Sequence, residues 1–132
     1  MATEAEIAWA AGFYEGEGTF FVRRSRGRDV PSFPNGLVLT ICQHNEEPLL
    51  KFHGIFNLGH IYGRIRRGKH VWWYSVSRTT DALHIAELMW PLLSERRQEQ
   101  ILDAVDEFAS VPHVKSFDWS FFLKEVNVEG RA

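Results

Sequence analysis

An α+β fold with an antiparallel sheet covered by helices on one face is predicted by three features of these 132 residues. Segments with helix and strand periodicity follow one another in the order αββαββαα. The strand segments alternate apolar with polar residues, so one sheet face must be covered while the other meets solvent or a ligand. The length suits one domain, able to bury roughly two thirds of its unfolded surface. With 45% hydrophobic and 24% charged residues the composition is that of an ordered globular protein. The expected organisation is a single domain over 1–132, with a core over about 4–110 and a C-terminal extension over 111–132.

Thr3-Glu4-Ala5-Glu6 has the form of a capping box, which starts the first helix at Glu4 and carries it to Gly16. Thr19 to Arg24 reads as a strand, and Ser25 to Gly36, with its glycines, prolines and Asn35, as a loop. Leu37 to Gln43 is a second strand, followed by a helix over Glu46–Phe56 begun at Asn45. His60 to Arg67 and Val71 to Ser77 form a hairpin around Gly68-Lys69. Thr80 to Leu93 is helical with Pro91 near its end, and Ser94 caps a last helix to about Ser110. Residues 111–132, with Phe117, Trp119, Phe121 and Phe122, are expected to pack as a short terminal helix without an assigned role.

Alternation sorts the side chains. Phe20 and Val22, then Leu37, Leu39 and Ile41, then Ile61, Gly63 and Ile65, then Trp72, Tyr74 and Val76 fall on one face. The other face carries Thr19, Phe21, Arg23 and Ser25 from the first strand, and Val38, Thr40, Cys42 and His44 from the second. The hairpin adds Tyr62, Arg64, Arg66, Trp73, Ser75 and Ser77. A basic, polar and aromatic β-ribbon suits the DNA major groove, where it makes both phosphate and base contacts.

Charge follows the same division. Residues 18 to 80 hold ten of the fifteen Lys and Arg against three acidic residues, a net of +7, while the remainder is −9. Segregation of this kind is the footprint of a polyanion binder, even at a net charge of −2, and charge alone equally fits a solvated basic surface. Arg24, Arg26, Arg28, Arg67 and Lys69 fall in turns or at strand ends, within reach of phosphates. The lone Cys42 excludes an intrachain disulfide and multi-cysteine zinc sites, and fits a reducing, intracellular compartment. No apolar run approaches the ~18 residues of a membrane span. The acidic N-terminus is unlike a secretory or organelle-targeting peptide.

Within residues 9–20, Trp-Ala-Ala-Gly-Phe-Tyr-Glu-Gly-Glu-Gly-Thr-Phe, an apolar helix ends in two carboxylates interleaved with glycines. Ala8, Gly12 and Gly16 share one helical face, where small residues let two helix backbones approach closely. Glu17 then stands at the helix end, a candidate metal ligand. The plainer reading is a buried N-terminal helix with a glycine cap. Ala10-Ala11-Gly12-Phe13-Tyr14-Glu15-Gly16-Glu17-Gly18, followed by Thr19-Phe20, resembles the motif of the LAGLIDADG homing endonucleases. Ala10 stands for the usual leading leucine and Glu17 for the more common aspartate, and the likeness extends over roughly residues 4 to 110.

The resemblance implies two αββαββα units packed through their motif helices, with two sheets forming a saddle over double-stranded DNA. One motif carboxylate per unit holds Mg²⁺, for which Mn²⁺ or Ca²⁺ can substitute, at the scissile phosphate. One motif per chain implies a homodimer through Ala8, Gly12 and Gly16, and a near-palindromic target. Carried over, Glu17 beside Gly16 is the metal site, in preference to Glu15. Asn45 takes the water-orienting place, with Gln43 as second choice. Arg96 matches the family's active-site lysine, and Leu49 stands where some members have a basic residue. A maturase acting on its intron RNA and a DNA-binding protein without cleavage remain as alternatives. The six histidines lack a His-x-x-x-His pair and no phosphate-binding glycine loop is present, which argues against zinc and nucleotide sites.

Overall fold

A computed structural model of the chain describes residues 1–25 and 33–110, without the side chain of Phe33. Helix α1 spans Glu4–Glu17. Its capping box forms as expected, with the Thr3 hydroxyl accepting from Glu6 N at 3.1 Å and Thr3 N donating to the Glu6 carboxylate at 2.9 Å. Strands β1 (Gly18–Ser25) and β2 (Phe33–Gln43) pair antiparallel, so β2 begins within the segment read as a loop. Helix α2 (Glu47–Phe56) leads to β3 (His60–Arg66) and β4 (Lys69–Val76). Helix α3 (Thr79–Met89) tightens into a 3₁₀ turn at Trp90–Leu92, where Pro91 cannot continue an α-helix. Ser94 caps α4 (Glu95–Ala109), accepting from Arg97 N.

The four strands form one antiparallel sheet in the order β1-β2-β4-β3. Phe20, Leu37, Leu39, Ile41, Tyr74 and Val76 are buried in one cluster with Ala10, Ala11 and Tyr14 of α1 and the apolar stripes of α2, α3 and α4. The strand alternation read from sequence therefore selects the covered face in β1, β2 and β4, while Ile65 near the hairpin tip is 72% exposed beyond the helices and Val38 on the opposite face is buried. The hairpin turn is Arg67-Gly68 rather than Gly68-Lys69, both residues having positive φ, at 51° and 78°. That two-residue mirror-image turn matches the right-handed strand twist, and it makes Lys69 the first residue of β4. No helix among the described residues is long and apolar enough to cross a membrane. The terminal helix expected over 111–132 lies outside the described residues.

Candidate functional site

Register builds the open sheet face row by row. Thr19, Thr40, Ser75 and His60 lie side by side across all four strands. The neighbouring row holds Cys42, Trp73 and Tyr62, followed by Val71 with Arg64 and by Lys69 with Arg66. Tyr62 and Trp73 stack in parallel, 5.6 Å apart and 9° from coplanar, and the Arg64 guanidinium lies 5.8 Å from the Tyr62 ring. A cavity of about 420 Å³ opens among Cys42, His44, Arg66, Arg67, Lys69 and Trp73. Phe21 is 41% exposed on the same face, opposite Val38.

The basic residues divide by what they touch. Arg64, Arg66, Arg67 and Lys69 are exposed and have no ion-pair partner among the described residues. Arg23 is committed within the chain: it donates to Asn35 Oδ1 at 3.0 Å and to the Ser77 carbonyl at 2.9 Å, lying across Gly36. Arg24 points to the helical layer and pairs with Glu107 of α4. Both guanidiniums are thus drawn away from the free set, which sequence alternation alone did not separate. Arg26 and Arg28 lie outside the described residues.

The two motif carboxylates have different surroundings. Glu15 sits at the N-terminus of α4, where its oxygens accept from Ser94 N at 2.8 Å and Ser94 Oγ at 2.7 Å. The Ser94 backbone hydrogen bond, with Arg97 and Arg96 nearby, holds the Glu15 carboxyl below the usual range. Glu17, the last residue of α1, is exposed and accepts no hydrogen bond or ion pair among the described residues. Burial raises the Cys42 thiol above its usual range, Arg66 opposes that, and Glu17 adds a smaller rise. Gly18 pairs with Ile41, so the end of α1 enters the sheet beside Cys42, which lines the same cavity as Arg66, Arg67 and Lys69. Gly18 begins β1 against the Tyr14 ring, which a Cβ there would overlap.

Around this carboxylate the remaining candidates take distinct places. Asn45 is exposed, and its Oδ1 accepts from Glu47 N at 3.0 Å in a turn just ahead of α2, whose N-cap is Glu46. Gln43 shares the helix-facing side of β2 with Ile41 and is half-buried. Leu49 is fully buried in the core, which explains an apolar residue there: a charge would be desolvated without a partner. Arg96 is exposed, 3.7 Å from the Glu15 carboxylate. Its neighbour Arg97, passed over in favour of Arg96 in the match to the family's lysine, is buried and donates to the Glu15 carbonyl at 2.9 Å. The signal was its place on the α4 stripe with Ile101, Ala104, Val105 and Phe108.

On α1, Ala10, Ala11 and Tyr14 face the core, whereas Ala8, Gly12 and Gly16 are exposed. A Cβ built at Gly12 or Gly16 meets nothing within 4 Å. Among the described residues no three His, Cys, Asp or Glu are grouped so as to hold a metal ion.

No protein-family model and no curated protein sequence matches the chain. Solved structures do match it. It is similar to the archaeal intron-encoded homing endonuclease I-Vdi141I complexed with DNA, at 16% identity and a TM-score of 0.64, over 98% of this chain and 85% of that one. I-CvuI, in complex with its target in the presence of Ca, is 20% identical with a TM-score of 0.64, over 96% of this chain and 79% of that one. The LAGLIDADG homing endonuclease I-GzeII, in complex with its DNA target, is 19% identical with a TM-score of 0.61. That match covers 90% of this chain and 41% of the longer I-GzeII chain. At these identities the likeness is one of fold.

Proposed function

We propose that this chain, which has the LAGLIDADG homing-endonuclease fold, is a site-specific DNA endonuclease acting as a homodimer on a long, near-palindromic duplex. The observation that carries the reading is the Glu17 carboxylate, without a partner among the described residues, at the end of an open small-residue helix face and near a basic sheet face whose Arg64, Arg66, Arg67 and Lys69 have no counterion among those residues. Duplex DNA as partner is further supported by I-Vdi141I and I-CvuI, both of which are complexed with DNA.

Among the described residues Glu17 belongs to no group of three His, Cys, Asp or Glu that could hold a metal by itself. Twofold packing along Ala8, Gly12 and Gly16 brings a second Glu17 to the first. Carboxylate oxygens with the Gly16 carbonyl are hard donors that fit Mg²⁺, and also Mn²⁺ or Ca²⁺. A bound divalent ion would activate water and neutralise charge on the phosphate and leaving oxygen. Asn45 offers its free amide nitrogen to orient water, with Gln43 behind it. Arg96 offers charge toward the phosphate, and as an arginine it takes no part in proton transfer. Arg64, Arg66, Tyr62, Trp73, Thr40 and Ser75 read bases, while Arg67, Lys69 and His44 engage the backbone.

The test is incubation with Mg²⁺ of a plasmid carrying the gene's flanking DNA rejoined across the insertion point, beside a splicing assay of the surrounding intron. A double-strand cut lost in Glu17→Gln supports the endonuclease. Splicing without cutting would assign a maturase instead, and specific binding without cutting a DNA-binding protein.

A further inference from the structure

We infer that Arg97 is a positioning residue for Glu17, fixing the last turn of α1 against α4 and so aiming the Glu17 carboxylate. The inference rests on the metal-dependent reading of Glu17 proposed above. Arg97 is 8% exposed, the one charged side chain in the buried set among the described residues. It occupies the apolar stripe of α4, where leucine or methionine would pack without the cost of desolvating a guanidinium. Its Nε donates to the Glu15 carbonyl at 2.9 Å, Nη1 donates to Gln100 Oε1 at 2.8 Å, and the group lies 5.6 Å from the Tyr14 ring.

Those contacts answer a local need. The final carbonyls of a helix have no intrahelical donor, and the last turn of α1 has no basic residue of its own. Arg97 supplies both donor and charge, two residues from Glu17. In return, the Glu15 carboxylate occupies the N-terminus of α4 through both Ser94 bonds. Each helix thus compensates the dipole end of the other. Tyr14, pressed between Arg97 and Gly18, closes the remaining side of the same turn. With Glu17 making no bond among the described residues, its direction is set by this backbone.

The experiment measures Mn²⁺ half-saturation by the paramagnetic signal of free Mn²⁺, using the full chain bound to the insertion-site duplex. Wild type is compared with Glu17→Gln, Arg97→Met, Arg97→Lys and Ser94→Ala. Arg97→Met is expected to weaken Mn²⁺ binding about tenfold or more, as loss of supporting groups does around metal ligands. Arg97→Lys, which keeps a donor and the charge, and Ser94→Ala, which removes one tether, should show smaller losses. Metal-free duplex affinity should stay within about twofold, because the sheet face provides it. A purely structural role would lower melting temperature and duplex affinity together and leave half-saturation of the folded protein in place. Wild-type half-saturation in folded Arg97→Lys and Ser94→Ala, with Glu17→Gln deficient, would overturn the inference even if Arg97→Met fails to fold. Equal Mn²⁺ binding by wild type and Glu17→Gln would instead remove the metal-site reading beneath it.

Discussion

Glu15 and Glu17 are two positions apart and meet opposite surroundings, because helical geometry turns one toward the start of α4 and leaves the other at the open end of α1. A carboxylate already accepting two hydrogen bonds is poorly placed to ligate a cation, while a free one is ready to do so. Glu17→Gln, which keeps size and removes charge, is therefore expected to abolish cleavage and leave specific duplex binding largely intact. A mutant cutting at the wild-type rate would locate the metal elsewhere. Two buried tyrosines allow a separate check of the packing. Tyr74 donates to the Leu58 carbonyl at 2.6 Å, whereas the Tyr14 hydroxyl is buried without a partner among the described residues. Loss of a made hydrogen bond costs about 1 kcal/mol, while removal of an unmade one relieves a desolvation penalty. Thermal melts should thus show Tyr74→Phe destabilised and Tyr14→Phe unchanged or stabilised. Equal destabilisation of both would contradict the burial of an unpaired Tyr14 hydroxyl.

At the scale of elements, the β3–β4 hairpin concentrates the free basic charge. Arg66 and Lys69 are cross-strand partners on the open face, a like-charge pairing that disfavours the free hairpin and rewards an anionic partner. Arg64 is steadied by the Tyr62 ring, which favours a defined guanidinium direction for bidentate pairing with guanine. Alanine at Arg64 or Arg66 is expected to relax discrimination at a few symmetric base pairs, by about 1–3 kcal/mol for each lost contact. Alanine at Arg67 or Lys69 should weaken binding to all sequences and lower the salt slope by about one charge each. Binding selections over a target library at two salt concentrations separate these patterns. Uniform losses from all four variants would reject the division between base and phosphate contacts. Arg23 and Arg24, held by Asn35, Ser77 and Glu107, act as struts of the other sheet edge.

For the whole molecule, the homodimer proposed above would tie the site to assembly through the open face of α1. Because a Cβ at Gly12 meets no atom of its own chain, Gly12→Leu should leave the folded monomer intact, and leucine is about 1 kcal/mol better than glycine in a helix. Backbone-to-backbone packing with a second copy has no room for that side chain. Sedimentation is expected to show a wild-type dimer and a folded Gly12→Leu monomer without cleavage. A wild-type monomer both free and on target DNA would refute the homodimer. The sequence by itself determined the element order, the covered faces of β1, β2 and β4, the capping box and the acidic motif, since each depends on near neighbours and on periods of two or 3.6 residues. It determined the hairpin but placed its turn one residue late, because Arg67, an unexpected residue at positive φ, shares the turn with Gly68. Only the tertiary structure decided which charges are free and which are spent. Arg23 meets Ser77 54 positions away, Arg24 meets Glu107 83 away, and Glu15 meets Ser94 79 away. Arg96 and Arg97 look interchangeable along the chain, and the docking of α4 against the end of α1 leaves one in solvent and buries the other under Glu15. Such separations carry no local pattern, and they arise only when packing brings distant segments together.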